Sequence, residues 1–460
     1  MTAPRRPGNV SALCVSLLYG PPSSLSPMRR LSLIALAAAA LALPDAAAQV
    51  GGSNDYGSIY SRYGLGERTE FSSSQGAMLG RTGVSMRTGV YNDLSNPALW
   101  SDQTVTTFSV SGGAIGTRSV DSFNDEASRG TSGDLFGLQF GVPLIPGRLG
   151  ATVGYRPYSR THYRSALSGE IGVEDSLVAY QLNQEGAGGL QQIGGGLGLR
   201  IGEAVQVGAS VDAIFGSTEY LERTTFTQAG YQETRRALGT QYRGVTATVG
   251  AAGTVRKLSR DDDALTLGAA LTLPARLDGD RTLTLGNSLD RDTLAASVSG
   301  EATIPLTLRA GLSYRSGTRW LATVEGLYEP WSGFESTLPV GGFAPSSALD
   351  ELQDRLRVGG GVEIVPSGRA RNAPLLRRSS YRLGGYAEQG LYAPTGASVA
   401  TLALTGGISL PTRITGARFD LGFEVGTRGS TNAVLVRDTF LKGSATINFG
   451  ERWFIRRRLD

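Results

Sequence analysis

Residues 441–449 read LKGSATINF, and apolar and polar side chains alternate along them without interruption. The apolar face of this stretch consists of Leu441, Gly443, Ala445, Ile447 and Phe449. The polar face consists of Lys442, Ser444, Thr446 and Asn448. Successive side chains of a β-strand point to opposite sides, so this alternation predicts a strand with one oily face and one wet face.

The same alternation recurs along the chain from about residue 103 onward, interrupted by glycine, proline and aspartate. Clear examples are residues 205–215, 265–273, 304–314, 320–328, 356–364, 400–410 and 419–425. A tilted membrane strand needs about 9 to 11 residues, whereas strands of soluble proteins usually have about 5 or 6. The segment lengths therefore favour a membrane barrel over the two soluble alternatives, a β-sandwich and a β-solenoid.

Charged side chains interrupt the polar faces in mid-strand but are nearly absent from the apolar faces. They are Arg200, Asp212, Arg309, Glu325, Arg357, Glu363, Asp420 and Glu424. An Arg or Lys facing lipid at mid-depth costs about 2 to 4 kcal/mol, whereas a charge facing a hydrated lumen costs little. We therefore predict that these side chains line the lumen of a barrel.

The predicted fold is an all-β, transmembrane antiparallel β-barrel. A sheet that closes into a barrel leaves no strand edge with unpaired backbone groups in lipid. Counting the alternating segments gives about 14 strands, with about 16 as the alternative, since single-chain bacterial barrels prefer even numbers. Six aromatic residues fall at or just past strand ends and predict an aromatic girdle at the membrane interfaces. They are Tyr155, Tyr158, Tyr328, Trp331, Phe449 and Trp453.

The amino end has the pattern of a secretory signal peptide. Arg29 and Arg30 precede an apolar run over residues 31–43, and small residues at 46–48 complete an A-x-A cleavage site. We expect residues 1–48 to be removed and the true start to be Met28. Cys14, the only cysteine, then lies outside the mature protein, which excludes disulfides, thiol catalysis and cysteine-bound metal.

The mature chain divides into three predicted parts. Residues 49–102 show no sustained alternation but contain small and apolar patches, as at 76–80 and 83–86, and we predict that they form a plug inside the lumen. Residues 103–455 form the predicted barrel, and 456–460 form a short basic tail. The net charge of +4 in 460 residues is too weak to indicate a nucleic acid partner.

Two short motifs bear on the plug. Asn96-Pro97-Ala98 lies just ahead of the first strand, where proline fixes its own φ and asparagine caps or turns the chain. We interpret it as a stiff plug element near the wall or, alternatively, as the turn that leads into the first strand. The glycine-rich residues 194–198 lie within alternation and lack a following helix signal, so we predict close approach of the plug or of side chains there, and no phosphate loop.

The order of a small-residue segment, Asn96-Pro97-Ala98 and a first strand resembles the long-chain fatty acid transporter family of outer membrane proteins. Residues 60–66, YSRYGLG, and 448–454, NFGERWF, are similar to the branch of that family found in Bacteroidetes-type bacteria. The resemblance implies a 14-stranded barrel with an amino-terminal plug, a lateral opening in the wall and passage of hydrophobic substrates. It also implies that Asn96, Pro97 and Ala98 act as a plug or gate element.

Three functions follow as hypotheses. The leading one is passive uptake of hydrophobic small molecules, fatty acid-like or aromatic, across a cell outer membrane. The alternative is a non-transporting scaffold accessory to a protein secretion machine, and the third is a barrel enzyme built around the single histidine, His162. We expect no catalytic residues, cofactor or metal. Expected partners are outer membrane lipids, a hydrophobic substrate, the barrel assembly machinery and, for the scaffold, secretion-system proteins.

Overall fold

The structure is a computed structural model that describes residues 57–451. Short segments are excepted: 122–126, 174–175, 229, 288–290, 294–296, 339, 341–351, 369, 371, 413–416 and 431–435. The predicted signal peptide with Cys14, residues 49–56 of the predicted plug, Trp453 and the basic tail lie outside the described residues. Their assignments stay predictions.

Twenty-one β-strands are described in chain order. They are β1 (Glu67–Arg68), β2 (Thr106–Asp121), β3 (Ala127–Ile145), β4 (Leu149–Pro157), β5 (Ser159–Arg160), β6 (Tyr163–Val173), β7 (Ser176–Ile201), β8 (Val205–Phe226), β9 (Thr234–Arg256), β10 (Asp263–Thr272), β11 (Ala275–Gly286), β12 (Arg291–Thr293), β13 (Val298–Ile304), β14 (Thr307–Ser316), β15 (Trp320–Glu329), β16 (Glu335–Ser336), β17 (Arg355–Ile364), β18 (Ser380–Gln389), β19 (Ala400–Pro411), β20 (Arg418–Arg428) and β21 (Val436–Glu451). The helices are α1 (Ser74–Met78), α2 (Leu375–Arg378) and 3-10 turns at Ile59–Arg62, Pro97–Asp102, Trp331–Gly333 and Pro394–Gly396.

All strands except β1 and β5 belong to one closed antiparallel barrel. Four barrel strands are interrupted and consist of consecutive pieces: β4 and β6, flanking β5; β10 and β11; β12 to β14; and β15 and β16. Each remaining element is one strand, which gives fourteen around the wall and confirms the predicted number. The seam between β2 and β21 runs from Thr106↔Glu451 to Asp121↔Val436.

Side-chain alternation sets the two faces of the wall. On β21 the apolar residues Leu441 and Ile447 point outward and are 60% and 45% exposed, whereas Thr446 and Asn448 are buried. Outward side chains elsewhere, such as Val211 and Leu404, are also apolar and exposed. The all-β transmembrane barrel predicted from the alternation is confirmed. No helix within the described ranges is long and apolar enough to cross a membrane.

Residues 57–102, here called the plug segment, precede β2 and lie inside the barrel. Helix α1 contacts β18, β19 and β20, whereas the 3-10 turn Pro97–Asp102 contacts β4, β7, β8 and β9. These two groups of strands belong to well-separated parts of the wall, so the segment crosses the lumen. This position is consistent with the predicted plug. The amino-terminal boundary of the plug stays a prediction.

The prediction of an aromatic girdle is partly wrong. Tyr328 and Phe449 are outward and partly exposed, as predicted. Tyr158 is instead buried under the plug segment, with the guanidinium carbon of Arg68 3.5 Å from its ring centre. Trp331 is buried in the largest apolar cluster, and its Nε1 donates to Glu329 at 2.8 Å. Proximity to a strand end does not decide which way an aromatic side chain points.

Candidate functional site

The barrel wall is interrupted between its second strand, which is β3, and its third strand, which consists of β4 and β6. Residues 138–145 of β3 pair with β4, and residues 127–141 pair with β2 on the other side. Strand β6 pairs with β7 along its whole length, from Tyr163↔Gly186 to Val173↔Ser176. Among the described strands none pairs β6 with β3. We call this gap, between residues 127–137 of β3 and Tyr163–Val173 of β6, the wall break.

Local sequence explains why the third strand departs from the wall. Pro157 ends β4, and proline has no N–H to donate to a neighbouring strand. On the facing strand, Gly188 and Gly189 have φ of +99° and +137°, conformations that L side chains rarely adopt. The third strand continues as β5. The backbone N of Thr161, the residue after β5, still donates to Gly188 O of β7 at 2.9 Å. The chain thus bends inward while remaining attached to β7 on one side only.

The plug segment fills the inner side of this bend. Strand β1 pairs with β5, with Glu67 opposite Arg160 and Arg68 opposite Ser159. Gly66, the last residue of the YSRYGLG motif, has φ +90°, and a Cβ there would lie 2.6 Å from Arg160 O. Glycine is therefore required where the plug segment approaches the wall.

An ion pair spans the wall break. The Arg160 guanidinium on β5 contacts the Asp134 carboxylate on β3, and Arg160 Nη1 also donates to Ser132 Oγ at 3.1 Å. Arg160 is also the backbone partner of Glu67 in the β1–β5 pair, so this residue links the second strand, the third strand and the plug segment. The pair therefore holds the wall break closed.

A cavity of about 100 Å³ lies directly behind the wall break. Asp134 and Phe136 line it from β3, whereas Pro157 and Arg160 line it from the third strand. The plug segment contributes Phe71. The cavity therefore lies between the two sides of the wall break, the plug segment and strands β2, β20 and β21.

A buried ionic cluster fixes the plug segment next to this cavity. The Glu70 carboxylate contacts Arg309 at 3.2 Å, Arg355 at 2.8 Å and Arg357. Burial acts to raise the pKa of the Glu70 carboxyl, but Arg357, Arg309 and Arg355 outweigh burial and hold that pKa well below its usual value. Burial acts likewise on Glu67, and Arg428 lowers its pKa below the usual value. Both plug carboxylates are thus ionised and paired.

Seven of the charged residues predicted from the strands contact the plug segment. Glu325 Oε2 accepts from the backbone N of Gly83 at 2.6 Å, and Asp420 accepts from Ser74 Oγ at 2.6 Å. The other contacts join Glu363 to Gln75, Glu424 to Arg81, Arg309 and Arg357 to Glu70, and Arg200 to Asp102. The eighth, Asp212, accepts from Ser210 Oγ at 3.4 Å within its own strand. A role for these eight residues in permeation stays a prediction.

Asn96-Pro97-Ala98 begins the 3-10 turn that precedes the first strand. Asn96 is its N-cap: Oδ1 accepts from Ala98 N at 3.0 Å, and Nδ2 donates to Val84 O and to Ala251 O on β9. The three residues lie against β7, β8 and β9, where the wall is continuously paired, and not at the wall break. Their predicted plug or gate role stays a prediction; the structure places them as an anchor of the plug segment to the wall.

The glycine-rich residues 194–198 allow part of this contact. A Cβ on Gly198 would lie 2.4 Å from Pro97 O and 2.8 Å from Ser101 N. The predicted close approach of the plug is therefore confirmed at Gly198. At Gly250, on β9, a Cβ would lie 2.0 Å from Asn96 Oδ1. The N-cap of the same turn therefore needs a second glycine, two strands along the wall from Gly198.

His162 lies in the bend between β5 and β6 and lines the cavity. Its backbone N donates to Ser61 Oγ at 3.0 Å, which ties the bend to the plug segment. Within the described ranges no group of three or more His, Cys, Asp or Glu side chains has an arrangement that could hold a metal ion.

Several residues of the site were not foreseen from the sequence. Arg355 and Glu329 lie one residue outside the alternating segments at 356–364 and 320–328, which is why the segment limits missed them. Glu70 and Arg68 lie in the plug segment, where no periodicity marks a face. A local signal did exist for the bend, since Pro157 and the glycines at 186, 188 and 189 are residue types that interrupt strands.

Solved structures with the same architecture are transporter and channel barrels. The toluene transporter TbuX of Ralstonia pickettii is 15% identical, with a TM-score of 0.54 over 83% of this chain and 98% of its own. The Pseudomonas putida toluene transporter TodX is 15% identical, with a TM-score of 0.51 over 84% and 99%. A Pseudomonas aeruginosa FadL homologue is 11% identical, with a TM-score of 0.52 over 84% and 98%.

These likenesses confirm, at the level of fold, the predicted resemblance to fatty acid transporter-like barrels; the Bacteroidetes-type branch stays a prediction. A search of curated proteins found no matching sequence. The family model named BamG matches residues 29–460, which spans the plug segment and the whole barrel. The chain therefore belongs to the BamG family.

Proposed function

We propose that this protein is an outer membrane channel for passive uptake of hydrophobic small molecules, fatty acid-like or aromatic, which leave the lumen sideways through the wall break. The observation that carries the proposal is the pair of unpaired strand edges, on β3 and β6, with a cavity directly behind them. An apolar solute gains little from a water-filled pore, whereas a side exit delivers it into lipid. The similar structures named above, a toluene transporter among them, support the same function.

The apolar outer surface of the barrel supports a location in the outer membrane. Exposed leucine, valine and phenylalanine side chains cover the outer face of the barrel, as lipid contact requires. A barrel of this kind is inserted into the outer membrane by the barrel assembly machinery, which is then a partner during biogenesis. Outer membrane lipids are the partners of the finished wall.

The wall break is closed in this structure. An apolar cavity of about 150 Å³ holds benzene, whereas the cavity behind the wall break measures about 100 Å³. Passage therefore requires movement of β1 or of the Arg160–Asp134 pair. The half of the plug segment anchored by Asn96 can remain in place during that movement, because it lies against another part of the wall.

A reversible cross-link tests the proposal. The variant Asp134→Cys/Arg160→Cys places one thiol on each side of the wall break in a mature chain that otherwise has none, and a bifunctional thiol reagent with a reducible disulfide in its spacer joins them. In liposomes, we expect rapid uptake of a labelled hydrophobic solute before cross-linking, loss of uptake after cross-linking, and recovery after reduction of the spacer. The control pair, Ser111→Cys/Thr446→Cys, replaces two directly opposed lumen-facing residues of the paired seam, and its cross-linking should leave uptake unchanged.

Two results would contradict the proposal. One is wild-type uptake no faster than that of empty liposomes across several hydrophobic solutes. The other is uptake that persists when mass spectrometry shows the cross-link at the wall break to be complete, which would place the route elsewhere.

A non-transporting scaffold is the second candidate, and one observation favours it. Arg355 contacts Glu70, Glu329 and Glu388 and is 1% exposed, so the plug segment is held by a dense set of buried ion pairs. Breaking such a pair costs about 3–5 kcal/mol, which opposes repeated movement of that part of the plug segment. The family name BamG also hints at the barrel assembly machinery as a partner.

The two candidates differ in what copurifies with the chain. A scaffold predicts stable recovery of barrel assembly or secretion-system proteins with the wild type and with the cross-linked variant alike. A channel predicts that uptake of the hydrophobic solute falls when the wall break is cross-linked and does not depend on copurifying proteins. Nothing in the described surroundings of His162 favours the barrel enzyme.

A further inference from the structure

The turn between β17 and β18 is unlike the other turns at its end of the barrel. It spans residues 365–379, whereas other turns there, such as 202–204 and 317–319, have three residues each. Short turns mark the periplasmic end of a bacterial barrel. Residues 365–379, here called the arginine turn, contain four arginines and no acidic residue. Two of the four, at 369 and 371, lie outside the described residues, and the structure describes Arg377 and Arg378.

An outward row of side chains places the arginine turn at a membrane surface. Trp320 on β15, Ile364 on β17 and Tyr381 on β18 are register partners on three consecutive strands. Trp320 and Tyr381 are exposed on the outer face, and these two residue types favour the interface between membrane and water. The arginine turn begins directly after Ile364 and therefore lies at the level of the lipid headgroups.

Helix α2, within the arginine turn, is held on the outer side of the wall. The hydroxyl of Tyr381, which points outward, donates to Leu376 O at 2.9 Å. The next side chain of β18, Arg382, points into the lumen, where it pairs with Glu363 at 2.6 Å. Helix α2 also contacts β19. The helix is therefore fixed next to the lipid and not beneath the lumen.

The helix presents two apolar side chains that no part of the described chain covers. Leu375 and Leu376 are 51% and 64% exposed, and none of the four residues of α2 is buried. At headgroup level such side chains enter the acyl region, as the apolar face of an interfacial helix does. The lipid-facing side of β18 continues into this surface through Tyr381, so lipid is the medium that covers both leucines.

The same helix carries two arginines without an anion. Among the described residues, the guanidinium groups of Arg377 and Arg378 have no carboxylate at ion-pair distance and no hydrogen-bond acceptor. Residues 364–387 contain no Asp or Glu. The neighbouring turn adds a third exposed arginine, Arg319, whose backbone O accepts from Val365 N at 2.8 Å. Guanidinium groups bind phosphate in a bidentate manner, so this surface attracts anionic headgroups.

We propose that the arginine turn is a binding site for an anionic phospholipid of the periplasmic leaflet. The phosphate binds Arg377 and Arg378, and the acyl chains lie against Leu375 and Leu376. The ligand is a lipid and not a free phosphate ion, because a soluble anion would leave both leucines uncovered. Arginines near an anionic membrane surface and apolar side chains within it strengthen attachment together. The inference does not depend on whether the barrel conducts solutes.

A fluorophore at position 376 tests which lipid lies there. Leu376→Cys introduces the single thiol of the mature chain, to which an environment-sensitive dye is attached. The labelled protein is placed in vesicles of equal parts phosphatidylglycerol and phosphatidylcholine, with bromine on the acyl chains of one lipid or of the other. Bromine quenches a dye that it contacts. The two quenching curves should give phosphatidylglycerol about a tenfold higher relative binding constant at this position.

A dye elsewhere on the wall is the control for position. Val211 is exposed on the outer face of β8, in a different part of the barrel. In the variant Val211→Cys, quenching should not distinguish the two lipids, because any preference there reflects only the average composition of the surrounding lipid.

Arginine variants test the headgroup contact. In the Leu376→Cys background, Arg377→Gln/Arg378→Gln should reduce the preference for phosphatidylglycerol about fivefold, whereas Arg377→Lys/Arg378→Lys should keep most of it. The matched control is Arg118→Gln/Arg129→Gln, which removes two exposed arginines that are register partners on β2 and β3. Heat-modified mobility on a gel shows whether each variant is a folded barrel, and the single Arg377→Gln variant carries the test if the double one is not.

Inorganic phosphate separates a lipid from a free anion. It is added to the labelled vesicles in parallel with potassium chloride of the same ionic strength, and both salts should weaken the preference equally by screening. Loss of the preference in phosphate alone would show that the site binds a free phosphate and not a lipid.

Other results overturn the inference as well. They are equal quenching by the two lipids at 376, the same preference at 211 as at 376, and a preference that Arg377→Gln/Arg378→Gln changes no more than the control pair does. None of them bears on uptake, because the arginine turn and the wall break lie on different strands and the dye reports binding without transport.

Discussion

Arg160 on β5 and Asp134 on β3 form an ion pair at the wall break, and the hydrogen bond from Arg160 to Ser132 is a second link between these two strands. Their side chains are only 22% and 25% exposed, so the pair is shielded on one side by the plug segment. Closure of the wall at this place depends on side chains, whereas the seam between β2 and β21 is closed by a continuous backbone ladder.

Replacing Asp134 with Asn should therefore favour the open wall. A partly exposed ion pair contributes about 0.2–1 kcal/mol, which allows up to about a fivefold rise in uptake of a hydrophobic solute. The measurement is the initial uptake rate in liposomes. The control is Glu185→Gln, which breaks the Arg164–Glu185 pair between β6 and β7, where the strands are already joined. An Asp134→Asn variant no faster than the control would rule out this pair as a closure.

Acid should loosen the plug segment through Glu70. The pKa of its carboxyl is lower in the folded barrel than its ordinary value of roughly 4.3. The stabilisation is therefore complete above that ordinary value and is lost as the pH falls through the lower folded value. The apparent melting temperature of the detergent-solubilised barrel, followed from pH 8 to pH 3, should hold and then fall at the acid end.

The variant Glu70→Gln separates this carboxylate from the others. At pH 7 it should be less stable than the wild type, by about 3–5 kcal/mol for a broken buried pair, and the two curves should converge in acid. The exposed Glu219→Gln variant is the control. Curves for the wild type and Glu70→Gln that stay parallel down to pH 3 would show that another group causes the acid response.

Asn96 should anchor the carboxyl-terminal half of the plug segment through both ends of its amide. Asn96→Ala loses the N-cap as well as the bonds to Val84 O and Ala251 O, and a lost cap alone costs about 0.5–2 kcal/mol. Asn96→Ser keeps a neutral N-cap acceptor but loses the amide that donates to Val84 O and Ala251 O. Thermal unfolding should rank the wild type first, Asn96→Ser second and Asn96→Ala third. Equal melting of all three would refute an anchoring role.

Gly198→Ala should displace the 3-10 turn, because the added methyl overlaps Pro97 O. Overpacking of this kind typically costs about 1–3 kcal/mol. Limited proteolysis should then cut residues 57–102 faster than in the wild type. Gly253→Ala, where no atom lies within 4 Å of the added Cβ, is the matched control and should resist proteolysis like the wild type. Equal protection of both variants would show that the turn adjusts without cost.

The barrel could be predicted because its evidence is local. Alternation on residues 441–449 fixes which side chains face lipid, and the same signal repeats often enough to count fourteen strands. The charges on Glu325, Asp420 and Glu424 were found in the same way, because an ionised group in mid-strand must avoid lipid.

The wall break could not be predicted because it depends on which strands pair. Nothing in the alternation of β6 reveals that it has a neighbour on one side only. Alternation predicts that Glu424 faces the lumen, but it does not reveal the partners of this carboxylate. Arg81 and Tyr386, which donate to it, lie 343 and 38 residues away in sequence.

The seam has a consequence for how the molecule is made. Tyr60, near the start of the plug segment, donates its hydroxyl to Val436 O at 2.6 Å, across 376 residues, and Val436 is the first residue of the last strand. The amino-terminal segment therefore completes its contacts only after the final strand has been synthesised. A chain shortened before residue 436 would lack both the strand that closes the barrel on β2 and the partner of Tyr60.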